Sequence, residues 1–213
     1  PFLRGLYSSF SVRTPVFMYI ANRERAGKDY LAAIRMLIYD GIAIDEAPLN
    51  SGKETNPDEL RKKVLSALIS GKRYMHFANN KGFLDNAVFE QIITSPTYED
   101  RVLGKSEMLQ FQNEMEFSLS GNSGISFSAD LANRSKIIEL LLDIEDANAR
   151  KFETPNLHQW ILDNRGKVLS AVYTLVKNWN EKGRPVGTIP FASFQEWSSI
   201  CGGIMETAGY ENP

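Results

Sequence analysis

Val16-Phe-Met-Tyr-Ile20, then Asn22-Arg-Glu-Arg-Ala-Gly27-Lys28-Asp29, then a run to Tyr39: the fold of this chain turns on how this stretch is read. The opening run is apolar throughout, as a buried strand requires, and from Asp29 to Tyr39 the residues Leu31, Ile34, Leu37 and Ile38 recur at helical spacing. Strand, polar loop and helix therefore follow one another. A phosphate-binding loop in this setting needs Gly-x-x-x-x-Gly-Lys-Ser/Thr. Backbone N–H groups then cradle phosphate oxygens at the helix N-terminus, and the lysine reaches the outer phosphates. Gly27 and Lys28 stand where they should, whereas Asn22 replaces the first glycine and Asp29 the magnesium-binding hydroxyl. Asn tolerates positive φ better than most residues, and Asp is a hard oxygen ligand for Mg²⁺, although it sets negative charge beside phosphates. The plain alternative is a Gly-Lys helix start with no ligand, because a two-residue match is common by chance.

Outward from this stretch the unit repeats, which predicts an α/β fold with a doubly wound parallel sheet. Asn56-Pro57-Asp58-Glu59 opens a helix with a capping residue, a proline at the first helical position and acids at the positive end of the dipole. It should run to Ser70 and stop at Gly71. Tyr74-Met-His-Phe-Ala78 reads as a second buried strand, with His76 as a packed core histidine, and Leu84 to Thr94 as a helix. In a phosphate-loop fold such a strand ends in an acid that holds Mg²⁺ through water. Here that position is Ala78, and the nearby carboxylates in sequence are Asp29, Asp85 and Glu90. Met108 to Phe111 and Met115 to Leu119, parted by Gln112-Asn113-Glu114, predict a hairpin with a polar tip. Ser120 to Gly124 reads as a loop and Ile137 to Leu142 as a last strand candidate, with Glu139 and the leucine run also compatible with a helix. After Arg150 the pattern is helical over His158 to Asp163, Lys167 to Asn180 and Ser193 to Ala208. This divides the chain into a core over 1–150 and a helical appendage over 151–213.

Composition bounds the function. A chain of 213 residues, 43% hydrophobic and 23% charged, can build an ordinary core without staples, so disordered, collagen-like and coiled-coil readings are excluded. With 24 Lys and Arg against 26 Asp and Glu, bulk positive charge cannot bind nucleic acid, and any such contact must be local. The lone Cys201 forms no internal disulfide, and two histidines are too few for a Cys/His zinc module; a reducing cytoplasm fits best. No apolar run approaches the roughly 20 residues of a membrane span, and no signal peptide opens the chain. Pro1 and the final Gly-Tyr-Glu-Asn-Pro read as the ends of a fragment of something longer.

Several motifs in order carry a resemblance. They are Asn22-Arg-x-Arg-Ala-Gly-Lys28 after a strand, Phe77-Ala-Asn-Asn-Lys-Gly82 with Leu84-Asp85, and Thr94-Ser-Pro before Asp100-Arg-Val-Leu-Gly-Lys-Ser106. Ser120-Gly-Asn122, Ser128-Ala-Asp-Leu131 with Arg134, Asn164-Arg165 and Ser193-Phe-Gln-Glu-Trp197 follow. Across nearly the whole chain this set resembles the AAA+ helicase-type ATPase domain of phage, plasmid and mobile-element replication proteins, often fused to a primase. The resemblance implies a P-loop NTPase core with a small C-terminal helical lid, ATP and Mg²⁺ as cofactors, and a homo-oligomeric, usually hexameric, ring threaded by single-stranded or forked DNA.

It further implies that Lys28 contacts the β/γ-phosphates, that Asn122 is the sensor orienting the attacking water, and that Arg134 is the finger reaching the neighbouring subunit's nucleotide. Asn22, Arg23, Arg25, Ala26, Gly27, Asp29 and Tyr30 would line the nucleotide with Lys28, Asp29 would touch the metal, and Arg165 would act as a lid sensor. Arg101 is a further candidate for the nucleotide or the subunit interface. Lys105, Gln112 and Asn113 are candidate DNA contacts, a polar hairpin tip without a ligand being the default. Phe194 and Trp197 read as lid core. Ala78 departs from the family pattern, which puts hydrolysis in question and leaves a degenerate ATPase fold used as an assembly or DNA-binding scaffold as the alternative. A metabolic P-loop kinase is disfavoured, since it has no use for Asn122 and Arg134 in this order.

Overall fold

In the computed structural model, residues 13–49, 57–102, 107–143 and 150–212 are described. The first elements are β1 (Val16–Ala21), α1 (Lys28–Tyr39), β2 (Asp45–Glu46), α2 (Pro57–Ile69), β3 (Tyr74–Asn80), β4 (Phe83–Leu84) and α3 (Ala87–Thr94). Then come β5 (Thr97–Arg101), β6 (Met108–Gln112), β7 (Glu116–Asn122), β8 (Ser126–Phe127), α4 (Ala129–Asn133) and β9 (Ser135–Leu140). Two long helices, α5 (Leu157–Glu181) and α6 (Gln195–Thr207), follow, with a 3-10 turn at Ala192–Phe194 leading into α6.

A five-stranded sheet in the order β2-β3-β7-β1-β9, parallel at every pairing, forms the centre of one compact unit, which takes in Pro15–Ala32 and Ile44–Arg150. The late strand β7 is inserted between β1 and β3, so the loop after β1 leaves the sheet beside the C-terminal ends of both neighbours. Side chains alternate across the pleat. Val16 and Met18, Met75 and Phe77, and Phe117 and Leu119 pack on one face with Val64, Leu65, Phe89 and Ile92 of α2 and α3. Phe89 meets Phe77 and Phe117 edge-on at centroid distances of 5.9 and 5.3 Å, a favoured aromatic geometry.

The strand and helix expectations from β1 to β3 hold, and α2 ends before Gly71, whose φ of +77° suits a helix stop. Asn56 lies outside the described residues. Leu84 belongs to β4 rather than to the next helix, and α3 begins behind Asn86, whose side chain accepts from the Phe89 N–H.

The expected hairpin between Met108 and Leu119 does not form. β6 instead pairs antiparallel with β5, while β7 joins the central sheet. The physical reason is Asn113, which is buried and donates its amide to the Ile92 and Ser95 carbonyls. That pins the turn to the end of α3 and sends the chain into a different sheet. Ser120, Gly121 and Asn122, read as loop, are instead the last three residues of β7. Gly121 is closely packed: a Cβ there would sit 2.6 Å from the mobile tip of Ile125, Cδ1, and 3.1 Å from the Asn80 carbonyl, so both would have to shift to admit one.

The other unit gathers Ala33–Ala43 and the chain from Lys151 onward. Here one helix replaces the two expected over 158–180, because α5 runs straight through Gly166. An interior glycine costs a helix only about 1 kcal/mol. Ile161, packed with Leu157, Leu162, Val168 and Leu169 against Leu37 and Ile38, offsets it. Phe194 and Trp197 are buried, as expected of core residues.

Candidate functional site

The loop between β1 and α1 is held at both ends by later parts of the chain. At its start, the Asn22 amide donates to the Leu142 carbonyl at 3.1 Å and its Oδ1 accepts the Leu142 N–H at 2.9 Å, prolonging the β1–β9 ladder by one step. Asn22 therefore works as a side-chain copy of a strand residue. It does not take up the left-handed conformation expected of a glycine substitute; that falls to Arg25, with φ of +59°, and to Gly27, with φ of +98°.

At the loop's far end, Arg150 donates to the carbonyls of Arg25 and Ala26 at 2.9 and 3.3 Å. In a trans peptide the C=O of one residue and the N–H of the next point in opposite directions. Two carbonyls turned to Arg150 thus leave the Ala26 and Gly27 amides facing the opposite side. The first helical bond of α1 is from the Leu31 N–H to the Gly27 carbonyl, so the amides of Lys28, Asp29 and Tyr30 stand outside the helical ladder. Loop amides and helix dipole are disposed as an anion cradle requires.

Lys28, buried at the helix start, donates to Asp29 Oδ2 at 2.7 Å and to Asn79 Oδ1 at 3.2 Å. Asn79, the penultimate residue of β3, is in the left-handed region, φ +57°, at a register shift in the β3–β7 ladder. Ser120 of β7 donates to Asp29 Oδ1 in a short bond and accepts the Asn79 N–H at 3.1 Å. His76 Nε2 lies 3.7 Å from Asp29 Oδ1, within ion-pair range but too far for a hydrogen bond, and that nitrogen has no hydrogen-bond partner. Burial alone would push the Asp29 carboxyl up; the His76 ring, the Lys28 and Ser120 hydrogen bonds and the Lys28 charge together hold it well below the usual carboxylate range. Behind it, His76 Nδ1 and the Tyr74 hydroxyl meet Ser118 Oγ at 2.6 and 2.5 Å. Asp29, Asn79 and Ser120 offer oxygen donors, which suit Mg²⁺. Among the described residues no three His, Cys, Asp or Glu side chains come together, so an ion here would complete its shell with water or a bound phosphate.

The structure thus joins Lys28 and Asp29 to Asn79, Ser120 and His76. Asn122 ends β7 opposite Ala21, and its Oδ1 is shielded with no hydrogen-bond partner. Arg23, Arg25 and the 40% exposed Tyr30 lie on the outer side of the loop and helix start.

The remaining predicted residues lie away from this cluster or make other contacts within the chain. Arg134 donates to the Glu90 carbonyl at 2.8 Å and pairs with Asp130 at 2.6 Å, bracing α4 against α3. Arg165 donates to the Ile38 and Tyr39 carbonyls, both at 3.1 Å, and so caps the C-terminus of α1. Arg101 is in β5, opposite Met108. Gln112 is exposed at the end of β6, Asn113 is spent internally as described, and Lys105 lies outside the described residues. Sequence reasoning missed Arg150 and the role of Ser120. Arg150 follows no motif, whereas the alternation Glu116, Ser118, Ser120 between apolar residues does mark a strand with one polar face.

No family model matches the chain, and no curated protein matches it. Among solved structures it is similar to an apo structure of the C-terminal region of NrS-1, with a TM-score of 0.51 and 17% identity over 79% of this chain and 38% of that one. The likeness is one of fold. A second apo structure of the same NrS-1 region gives a TM-score of 0.47 at 17% identity, over 77% of this chain and 37% of that one. The chain thus spans well under half the length of the NrS-1 region. No helix among the described residues is long and apolar enough to cross a membrane.

Proposed function

We propose that the sheet unit is a P-loop NTPase core of the AAA+ type that binds ATP with Mg²⁺ and drives DNA unwinding or helicase loading during replication of a phage, plasmid or other mobile element. The observation that carries it is the β1–α1 loop: its Ala26 and Gly27 amides are turned away from Arg150, and Lys28 stands at the N-terminus of a 12-residue helix. The insertion of β7 between β1 and β3, and the ordered motifs that resemble replication ATPases, support the same reading. Lys28 and the loop amides hold the phosphates, Asn122 faces the same sheet edge as a sensor, and assembly into a hexameric ring in the cytoplasm lets neighbours complete each other's sites. Arg134 acts between subunits only by leaving Glu90 and Asp130.

That engagement of Arg134, together with Ala78, favours one second reading: a nucleotide-independent scaffold. ATP hydrolysis with and without single-stranded DNA, beside solution mass with and without nucleotide, separates the two. The motor predicts ATP-dependent assembly and a loss of about 100-fold or more in turnover for Lys28→Ala. Absence of both ATP binding and turnover in the unaltered chain sinks it.

A further inference from the structure

Two departures from the phosphate-loop pattern run in opposite senses: the helix start gains a carboxylate at Asp29, and the end of β3 lacks one at Ala78. The fold brings them together. Asp29 Oδ1 accepts from Ser120 Oγ, and Ser120 Oγ accepts the backbone N–H of Asn79, the residue after Ala78. His76, two residues before Ala78 on the same strand and fully buried, aims its unpartnered Nε2 at the same oxygen. Resting on the phosphate-loop reading above, we propose that Asp29 has taken over the cation-holding duty absent from β3, so that one helix start supplies both the phosphate-binding ammonium and the carboxylate for the divalent ion.

The arrangement resolves the charge problem of an aspartate beside phosphates. Without ligand, Lys28 neutralises Asp29 through Oδ2 at 2.7 Å. When Lys28 turns to a phosphate, Oδ2 is released while Ser120 still holds Oδ1. The freed carboxylate then repels the phosphates unless a divalent cation answers it. Nucleotide binding by this chain therefore requires the cation more strictly than a hydroxyl at position 29 would.

The test is equilibrium binding of a fluorescent ATP analogue, read by anisotropy, in Mg²⁺ and in EDTA. For the unaltered chain we expect affinity at least about tenfold weaker in EDTA. Asp29→Ser should bind the analogue alike in both, and so should Asp29→Asn, which keeps the shape of the side chain and separates loss of charge from loss of fold. Ala78→Asp added to Asp29→Ser should restore the dependence on Mg²⁺. Full Mg²⁺ dependence in both single variants, no restoration in the double variant, or equal binding in Mg²⁺ and EDTA by the unaltered chain overturns the inference and leaves the phosphate-loop reading standing. No binding by the unaltered chain under either condition removes that reading, and this inference falls with it.

Discussion

The same two strands, β3 and β7, present opposite chemistry on their two faces. On one, Met75, Phe77, Phe117 and Leu119 join a continuous apolar core. On the other, Tyr74 stands opposite Glu116 and His76 opposite Ser118, all buried, with Tyr19 edge-on to His76 at 6.3 Å. Both faces are out of water, but only the first is stabilised by that fact alone. The second is tolerable where the Tyr74 hydroxyl and His76 Nδ1 share Ser118 Oγ, and a seam of polar contacts of that kind fixes positions more narrowly than oil does. The seam ends at Asp29 and Lys28, so the apolar face supplies stability and the polar face supplies geometry.

The sharpest way to probe this contrast is to truncate one residue on each side. Phe117→Ala removes a ring that touches Phe77 and Phe89, and should lower unfolding free energy in urea by about 3–5 kcal/mol. Its neighbour Ser118→Ala leaves the Tyr74 hydroxyl and His76 Nδ1 without the shared partner, and should cost about 1–3 kcal/mol in the same measurement. If the ordering is reversed, the division of labour between the faces is wrong.

The smallest effect belongs to the helical unit, where Glu206 accepts from Thr188 and Asn212 at the surface and is held below its ordinary pKa by those bonds. A depressed carboxylate contributes above the unfolded value of 4.5 and loses that contribution as pH falls through the folded one. Glu206→Gln should therefore lower Tm slightly at pH 7, with the gap from the unaltered chain closing in acid. A gap that persists unchanged at pH 3 would falsify the assignment.

The apolar face was legible from residue order, because period and length alone separate β1, β3 and the helices around them. Lys28 and Gly27 were legible too, being adjacent in a known setting. What stayed hidden depends on partners far along the chain. The β5–β6 hairpin has few buried apolar side chains to announce it. Asn113 reads as a loop residue until the carbonyls it serves are known, and the helix carbonyls that Arg165 and Arg134 meet cannot be read from the motifs around them. Charge in a sequence shows that a partner exists without naming it.

The clasp on the β1–α1 loop bears on how the site comes into being. Asn22 meets Leu142 across 120 positions, and Arg150 meets Ala26 and Arg25 across 124 and 125. Contacts this remote carry a loop-closure cost that is met only after the intervening chain has ordered. The loop therefore takes its described form only once the chain around Leu142 and Arg150 has come back to it.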